Sequence, residues 1–399
     1  MKHNRKITPE GMKDILLEEC ALRRALQQKL EALFQQSGYR EVVTPGIEFY
    51  DLFDPAHTGI PQESLYKMTD NKGRLLVVRP DCTLPIARLT ATRLQALPKP
   101  LRLYYDQTVY CNNPGLTGRD DEQLQCGIEL LGAGGMRADL EAMFLASQAM
   151  ERIAPDYRIE IGHAAFFRAL ADELPVQAED REAIRRAIEA KNYSSLSAML
   201  DTLPDSPAVH AVKLLPRLFG GQEVLEQARE LCRSEKAAQT LSDLKELYEK
   251  LCALGLQGHI MIDLGLVQRN DYYTGVVFRA YLPQCGDAVL SGGRYDSLLN
   301  WFDQPMPAIG FALNVDAITG ALLREGEEGE TAPDLLVHGA PGYETQALSY
   351  MRERMEKGEK CEYSVFETEE EARAYAAACG IARLAIVGRE TERQEVTAG

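Results

Sequence analysis

Two strand-like stretches, joined by a short loop rich in proline and glycine, restrict most strongly how this chain can fold. They are LRLYYDQTVYCNN (residues 101–113) and EQLQCGIELLG (residues 122–132), and they predict an antiparallel strand pair. Apolar residues at helical spacing flank the pair, at residues 14–37 and again at residues 138–153. Helices grouped around a mainly antiparallel sheet indicate an α+β fold rather than a doubly wound parallel sheet.

The composition of the 399 residues is that of a globular protein, with 45% hydrophobic and 26% charged side chains. No apolar run approaches the ~20 residues that span a bilayer, and the polar N-terminus lacks a signal-peptide core. The nine cysteines form no CxxC pair, and the six histidines never approach HExxH spacing. No Walker-type phosphate loop occurs. We therefore expect a cytoplasmic protein with reduced thiols, no metal site, no cofactor and no membrane contact.

The net charge of −16 argues against a broad nucleic-acid surface, because affinity for phosphate backbones depends on clustered Lys and Arg. Half of this charge lies in the last fifth of the chain. Residues 324–399 carry nine Lys/Arg and seventeen Asp/Glu, a net charge of −8. We therefore expect no tRNA partner.

Changes of pattern along the chain predict its domains. Residues 166–254 are helical and charged with proline breaks, which indicates an inserted helical module. An acidic, glycine-containing linker follows at residues 325–332. We predict a large domain over residues 1–324 that contains the insertion, and a small α/β unit over residues 333–399.

Two short segments place polar side chains where a site could form. VVRPDCT brings Asp81 and Thr83 to the end of a strand, although a capped helix start is the more frequent explanation of that pattern. LQCGIE carries Gln125 and Glu129 four residues apart on a strand, so both side chains lie on one face. On an exposed face they would simply be solvated.

Two further segments carry tyrosines and a paired charge. LVQRNDYYTGVVF (residues 266–278) has the composition of a strand, in which Tyr272 and Tyr273 would point to opposite faces. LSGGRYDSLL is a glycine turn with Arg294 and Asp296, which either form a structural ion pair in the bend or belong to a site.

Taken together and in order, these segments resemble the catalytic domain of histidyl-tRNA synthetases, which are class II aminoacyl-tRNA synthetases. The resemblance covers residues 7–321, with a divergent middle at residues 166–254. It implies an antiparallel sheet flanked by helices, with a helical insertion. The matching segments are YREVVTP, VVRPDCT, VYCNNPGLTGRDDEQLQCGIELLG, LVQRNDYYTGVVF, LSGGRYDSLL and PAIGFALNVDAI.

Three positions depart from the family where its members use arginine to hold ATP and to promote adenylate formation. They are occupied here by Tyr110, Gln268 and Ala317. A charge-assisted hydrogen bond contributes about 1.5–3 kcal/mol, and losing one transition-state donor costs about 10²–10³ in rate. The resemblance therefore implies no catalytic residues and negligible amino-acid activation.

The other half of the family's pocket is retained. The resemblance implies that six positions contact the amino group, carboxylate or imidazole of histidine: Asp81, Thr83, Gln125, Glu129, Tyr272 and Tyr273. Carboxylates, hydroxyls and an amide suit such a ligand because they pair with a cationic amine and a donor–acceptor ring. The alternative is a polar remnant that binds nothing.

A synthetase-like chain without these arginines and with a short acidic tail resembles the regulatory subunits of ATP phosphoribosyltransferase. That class implies a non-enzymatic role in the first step of L-histidine biosynthesis, a short-form catalytic subunit as partner, and feedback inhibition by histidine. It also implies a dimer formed through residues 14–37 and YREVVTP, and a tail that is a truncated anticodon-binding domain. Two alternatives are a divergent histidyl-tRNA synthetase and a non-enzymatic RNA-sensing module.

Overall fold

The structure is a computed structural model that describes residues 6–113, 120–267, 272–326, 332–389 and 391–395, with the backbone alone at residues 56, 57 and 391–395. The chain divides into two compact units, Met1–Glu327 and Glu328–Gly399. Most of the linker predicted at residues 325–332 lies outside the described residues.

The first unit contains both strands and helices. The strands are β1 (Arg40–Glu41), β2 (Ile47–Phe49), β3 (Lys67–Thr69), β4 (Leu75–Val78), β5 (Leu101–Tyr110), β6 (Glu122–Leu131), β7 (Arg158–His163), β8 (Phe219–Gly220), β9 (Ile260–Asp263), β10 (Val276–Tyr281), β11 (Leu290–Arg294) and β12 (Ala308–Asn314). The helices are α1 (Leu17–Gln36), α2 (Pro55–Thr58), α3 (Thr83–Thr92), α4 (Met136–Ile153), α5 (Ala164–Ala171), α6 (Ala178–Glu189), α7 (Tyr193–Asp201), α8 (Pro207–Leu214), α9 (Glu223–Leu231), α10 (Glu235–Leu251) and α11 (Val315–Arg324).

The predicted antiparallel pair is confirmed as β5 and β6, at one side of the main sheet. That sheet has the order β1-β5-β6-β12-β11-β10-β7-β9-β8. Every neighbouring pair from β5 to β7 is antiparallel, whereas β1 runs parallel to β5 and β9 parallel to β7. Helices α5 to α10 all lie between β7 and β9 in the chain, so they form an insertion in a mainly antiparallel sheet.

The two faces of the main sheet differ in chemistry. Cys126, Ile128 and Phe311 point to one face and are buried in the larger core, together with side chains of α1, α4 and α11. Because side chains alternate along a strand, Gln125 and Glu129 of β6 point to the other face. This second face, called the polar face below, also packs a smaller hydrophobic core that includes Leu103, Tyr105 and Leu131, so its polar side chains lie among apolar ones.

Helix α1 packs along the apolar face. Its buried residues include Leu26, Leu30 and Phe34, which recur at the helical spacing that predicted this element over residues 14–37. The helix ends before Gly38, whose φ of 82° is the left-handed conformation that glycine adopts at helix ends.

The strand predicted from YREVVTP is much shorter than expected. Only Arg40 and Glu41 pair in register with β5, and the Val42 amide adds one more hydrogen bond, to the Tyr104 carbonyl. Pro45 has no N–H to donate, so the ladder ends before it. The chain then enters a separate three-stranded antiparallel sheet of order β2-β4-β3.

The prediction of a strand over residues 266–278 is wrong at Tyr272 and Tyr273. Strand β10 begins at Val276, and Tyr272 and Tyr273 precede it in non-strand backbone, with residues 268–271 outside the described residues. The Thr274 amide bonds the Arg294 carbonyl at 2.7 Å, which holds this segment against the end of β11. Both tyrosines are buried and their ring centroids lie 4.8 Å apart, so they do not point to opposite faces.

The second unit is a small α/β fold. Its elements are β13 (Leu335–Gly339), α12 (Glu344–Glu356), β14 (Cys361–Tyr363), α13 (Glu369–Ala378), β15 (Arg383–Val387) and β16 (Thr391–Glu395). The sheet order is β14-β13-β15-β16, in which the first three strands are parallel and β16 is antiparallel.

In the described part of the chain, no helix has the length and apolar character needed to cross a membrane. Within the same residues, no three His, Cys, Asp or Glu side chains gather into a group that could hold a metal ion. All nine cysteines are free thiols.

Candidate functional site

Glycines on the polar face of the sheet leave room for the side chains of the predicted site. Gly310 lies beside Glu129 across the β6–β12 ladder, and a Cβ at Gly310 would collide with the Glu129 carboxyl group. A Cβ at Gly293 of β11 would lie 2.7 Å from the Tyr273 ring. Residues with larger side chains at these two positions would therefore displace the groups that form the site.

Glu129 is at the centre of this pocket, with only 1% of its surface exposed. The Thr83 hydroxyl donates to one carboxyl oxygen at 2.7 Å, and the Tyr295 hydroxyl donates to the other. Burial raises the pKa of Glu129 to about 8, an effect that the two hydrogen bonds oppose and the nearby Asp81 carboxylate reinforces. Burial therefore favours the protonated form of Glu129 relative to an exposed carboxyl group.

Asp81 lies at the start of α3, and its role as a helix cap is confirmed. Its Oδ1 accepts a hydrogen bond from the Leu84 amide at 2.9 Å, which satisfies one of the free N–H groups of the first turn. Burial raises the pKa of Asp81 to about 6, although hydrogen bonds from the Leu84 and Thr83 amides act in the opposite direction. The same helix start places Asp81 and Thr83 beside Glu129, so the segment serves both as a cap and as a pocket wall.

Three tyrosines close the pocket around this carboxyl group. Tyr272 and Tyr273 are 5% and 8% exposed, and the Tyr272 ring meets the Tyr295 ring edge-on at 5.9 Å. Burial raises the pKa of all three phenols, which keeps them neutral. Sequence reasoning missed Tyr295. It could have been found from its position two residues after Gly293, because residues two apart on a strand point to the same face of the sheet.

Arg294 has a structural role, as one of its two interpretations predicted. It pairs with Asp296 at 2.9 Å and with Asp139 of α4 at 2.6 Å. It also donates to the carbonyls of Ala133 and Gly135. This network joins the end of β11 to the start of α4 and fixes the backbone that carries Tyr295.

Gln125 lies farther along β6 than the other five predicted pocket residues. It is four residues from Glu129, which is about 13 Å along a strand that rises ~3.3 Å per residue. Its neighbours across the ladders are Gln107 of β5 and Asn314 of β12. Among the described residues its half-buried amide makes no hydrogen bond. The two side chains face the same side of the sheet, and the Tyr105 hydroxyl lies over Gly127 between them, where an added Cβ would be 2.7 Å from it.

Tyr110 and Ala317, at two of the family's arginine positions, contact an acidic side chain and an amide side chain respectively. The Tyr110 hydroxyl donates to the Glu122 carboxylate at 3.2 Å. The Ala317 amide donates to the Asn314 side chain, which caps α11. Gln268, at the third position, lies outside the described residues.

The start of α11 is closed by the chain's own side chains. The Asp316 carboxylate accepts a hydrogen bond from the Leu124 amide at 2.6 Å and pairs with Arg23 of α1 at 2.7 Å. An anion at a helix N-terminus is stabilised by the helix dipole, and here Asp316 is that anion. An external phosphate would meet a carboxylate at this point instead of a cation.

A cleft of about 1420 Å³ lies next to these carboxylates. Glu122, Asn314 and Asp316 line its sheet side, and Arg185 and Glu189 of α6 line the wall formed by the insertion. Arg185 is neutralised by two ion pairs, at 2.7 Å to Glu182 and at 3.0 Å to Glu189. The lining also includes Lys191, Arg279 and Arg324, so the cleft carries charges of both signs rather than cations alone.

Comparison with known proteins assigns the chain to a family. A family model described as histidyl-tRNA synthetase matches residues 11–318. A Clostridium botulinum protein named ATP phosphoribosyltransferase regulatory subunit is 36% identical over 386 residues, which cover 96% of this chain and 92% of that protein.

Two solved structures share the fold. A Bacillus halodurans protein described as an ATP phosphoribosyltransferase regulatory subunit/histidyl-tRNA synthetase superposes with a TM-score of 0.84 at 29% identity, over 96% of this chain and 99% of its own. A Nostoc histidyl-tRNA synthetase shares the fold alone, with a TM-score of 0.80 at 18% identity over 98% of this chain and 97% of its own. The predicted class II synthetase-like fold is confirmed. The chain belongs to the family of ATP phosphoribosyltransferase regulatory subunits, and it has a histidyl-tRNA synthetase-like fold.

Proposed function

We propose that this chain binds L-histidine in the pocket around Glu129 and makes a short-form ATP phosphoribosyltransferase catalytic subunit sensitive to that amino acid, in the cytoplasm. A regulatory subunit acts through a catalytic partner, and membership of this family supports that role. The observation that carries the proposal is a contrast between two regions of the main sheet. The pocket around Glu129 has its polar groups in place, whereas Glu122 and Asp316 occupy the region of the lost arginines.

Electrostatics explains why such a chain would not activate an amino acid. Two like unit charges 4 Å apart repel by about 4 kcal/mol at an effective dielectric constant of 20. A nucleotide phosphate near Glu122 would meet this repulsion where a synthetase supplies attraction, and Asp316, which is paired with Arg23, offers no cation in its place. The chain should therefore bind the amino acid without transferring it to ATP or to tRNA.

The pocket's chemistry fits a small amino acid. Glu129 and Asp81 offer acceptors for an ammonium group, and the buried phenols of Tyr272 and Tyr273 offer hydroxyls to an imidazole ring. Gln125 faces the same side with an unused amide. These groups support histidine as the ligand.

An exposed apolar face supports a dimer. On the three-stranded sheet, Ile47 and Phe49 are each 47% exposed and Met68 is 39% exposed. Phe49 and Met68 both lie opposite Leu76, so these side chains share one face. We propose that the dimer contact expected of residues 14–37 and YREVVTP extends onto this face, which follows YREVVTP in the chain, and that a second copy of this chain covers it through an isologous contact in which one patch serves both chains.

The test mixes the purified chain with a short-form catalytic subunit. Light scattering should show one defined larger complex, and phosphoribosyl transfer in the mixture should become inhibited by added histidine. The catalytic subunit alone is the control and should not respond to histidine. If the two proteins stay separate, or if histidine leaves the mixture's activity unchanged, the proposal is wrong.

The match to the synthetase family model favours one alternative, a divergent histidyl-tRNA synthetase. Histidine-dependent exchange between ATP and pyrophosphate distinguishes the two functions. Exchange at the rate of a synthetase would support the alternative, and absence of exchange together with histidine binding supports the regulatory function.

A further inference from the structure

We propose that Arg79 and Gln107 couple the contact with a second copy of the chain to the histidine pocket, so that dimer formation and histidine binding strengthen each other. This inference rests on the proposed function, because it needs both the histidine site and the dimer. It adds the residues that connect the two and the direction in which each affects the other.

The connection begins at residues 42–46, which lead out of the main sheet after β1. Val43 is 75% exposed, whereas Thr44, the next residue, is only 4% exposed. Gln107 of β5 holds the backbone of this segment from within. Its amide oxygen accepts the Thr44 N–H at 3.1 Å, and its amide nitrogen donates to the Val42 carbonyl at 3.3 Å. The segment therefore shows an apolar side chain to the surface while its backbone is fixed to the sheet.

Arg79, the residue after β4, holds the same segment. Its guanidinium donates to the carbonyls of Thr44 at 2.8 Å and Pro45 at 3.4 Å, and to the Thr108 carbonyl of β5 at 2.8 Å. It also donates to the amide oxygen of Gln107, so the two side chains form one network, which we call the clamp. A guanidinium carries its donors in a rigid plane, and one side chain can therefore hold several acceptors in fixed directions.

The charge of the clamp has no carboxylate partner. Arg79 is 9% exposed, and within the described part of the chain it forms no ion pair with Asp or Glu. Its acceptors are carbonyl, amide and hydroxyl oxygens. A buried cation is costly when its donors lack acceptors. Displacing Thr44 and Pro45 would leave donors of this cation unsatisfied, so the segment and Arg79 are held together.

The wall of the pocket begins two residues after Arg79. The Arg79 N–H donates to the Gly46 carbonyl at 3.0 Å, so its backbone is fixed to the segment as well as its side chain. Asp81 then caps α3, and the Thr83 hydroxyl donates to the Glu129 carboxyl group at 2.7 Å. Displacing the segment would therefore displace the start of α3 and the partner that it gives to Glu129.

The direction of the coupling follows from the surface that the second copy covers. Val43, Ile47 and Phe49 are exposed apolar residues within or just after the clamped segment. A second copy that packs on them restricts the segment and, through the clamp, the start of α3. A pocket whose wall is already fixed loses less conformational entropy when histidine binds. Linkage is reciprocal, so bound histidine strengthens the dimer by the same free energy.

Two comparisons that leave the clamp unchanged measure this coupling. Calorimetry gives the histidine affinity of the unmodified dimer and of Phe49→Lys, which places a charge on the exposed apolar face and should be a monomer. The monomer should bind histidine at least about fivefold more weakly. Analytical ultracentrifugation gives the dimer dissociation constant of the unmodified chain, which saturating histidine should lower by at least about fivefold.

A change within the clamp assigns the coupling to Arg79. Arg79→Lys keeps the positive charge and removes the planar set of donors, so histidine should no longer change its dimer dissociation constant. Arg93→Lys, at an exposed residue at the end of α3, is the matched control and should keep the full effect of histidine. A purely structural role of Arg79 would lower the stability of the variant without removing the effect of histidine on dimer formation.

Each outcome bears on a different part of the proposal. Equal histidine affinities of dimer and monomer, or a dimer dissociation constant that histidine leaves unchanged, would overturn the inference while the proposed histidine site stands. An unmodified chain that stays monomeric would also overturn it. A full effect of histidine in Arg79→Lys would overturn the role of the clamp. If the unmodified chain does not bind histidine, the proposed site is wrong and the inference falls with it.

Discussion

Replacing Glu129 by glutamine tests whether the folded pocket stores a proton that the unfolded chain does not. Burial raises the pKa of Glu129 from its ordinary 4.5 to about 8. Between those two values the folded chain binds more protons than the unfolded chain. The free energy of unfolding must therefore fall as the pH rises through this window, and it levels off above about pH 8.

The size of the effect follows from the shift. Each pKa unit corresponds to about 1.4 kcal/mol, so this one group removes about 5 kcal/mol of stability between the two pKa values. Glu129→Gln abolishes the loss because an amide does not ionise. The variant should gain stability relative to the unmodified chain as pH rises, by several kcal/mol between about pH 5.5 and pH 8.5.

Urea unfolding followed by circular dichroism measures this difference at each pH. Glu226→Gln is the matched control, because Glu226 is exposed on α9 and its replacement should leave the pH profile parallel to that of the unmodified chain. A constant difference between the unmodified chain and Glu129→Gln across the whole range would refute the reasoning.

Three further predictions concern packing and assembly. Leu30→Ala, at a fully buried position of α1, should lower the free energy of unfolding by about 2–5 kcal/mol in urea titrations, and a loss below 1 kcal/mol would contradict the packing described. Asp316→Ala removes the acceptor of the Leu124 amide and the partner of Arg23, so thermal unfolding should report a loss of about 1.5–3 kcal/mol in the free energy of unfolding. An unchanged free energy of unfolding would contradict this prediction. Phe49→Lys should convert dimers to monomers in analytical ultracentrifugation, whereas Leu348→Lys, at an exposed apolar residue of the second unit, should not.

The core of the fold could be predicted from local patterns in the sequence. The β5–β6 pair and the end of α1 at Gly38 were predicted because alternation, helical spacing and a glycine stop are properties of neighbouring residues. Asp81 and Glu129 were predicted as pocket residues from the motifs that contain them, and the structure places them near each other.

The features that could not be predicted from the sequence depend on contacts between segments that are far apart in the chain. The backbone before β10 has the composition of a strand, but the bond from Thr274 to the Arg294 carbonyl holds it outside the ladder. The bond between Tyr295 and Glu129 joins residues 166 positions apart, and the Arg23–Asp316 pair joins residues 293 positions apart. No local pattern specifies such pairings.

The pocket's part in regulation is tested most directly by the histidine dependence of catalysis in the assembled complex. Phosphoribosyl transfer by the short-form catalytic subunit is titrated with histidine in the presence of the unmodified chain, Glu129→Ala or the exposed control Glu226→Ala. Leaving a buried ligand ammonium unpaired costs about 1–3 kcal/mol, so Glu129→Ala should raise the half-inhibiting histidine concentration about 5- to 150-fold. Glu226→Ala should match the unmodified chain. An identical inhibition curve for Glu129→Ala would contradict the account, because histidine would then act elsewhere.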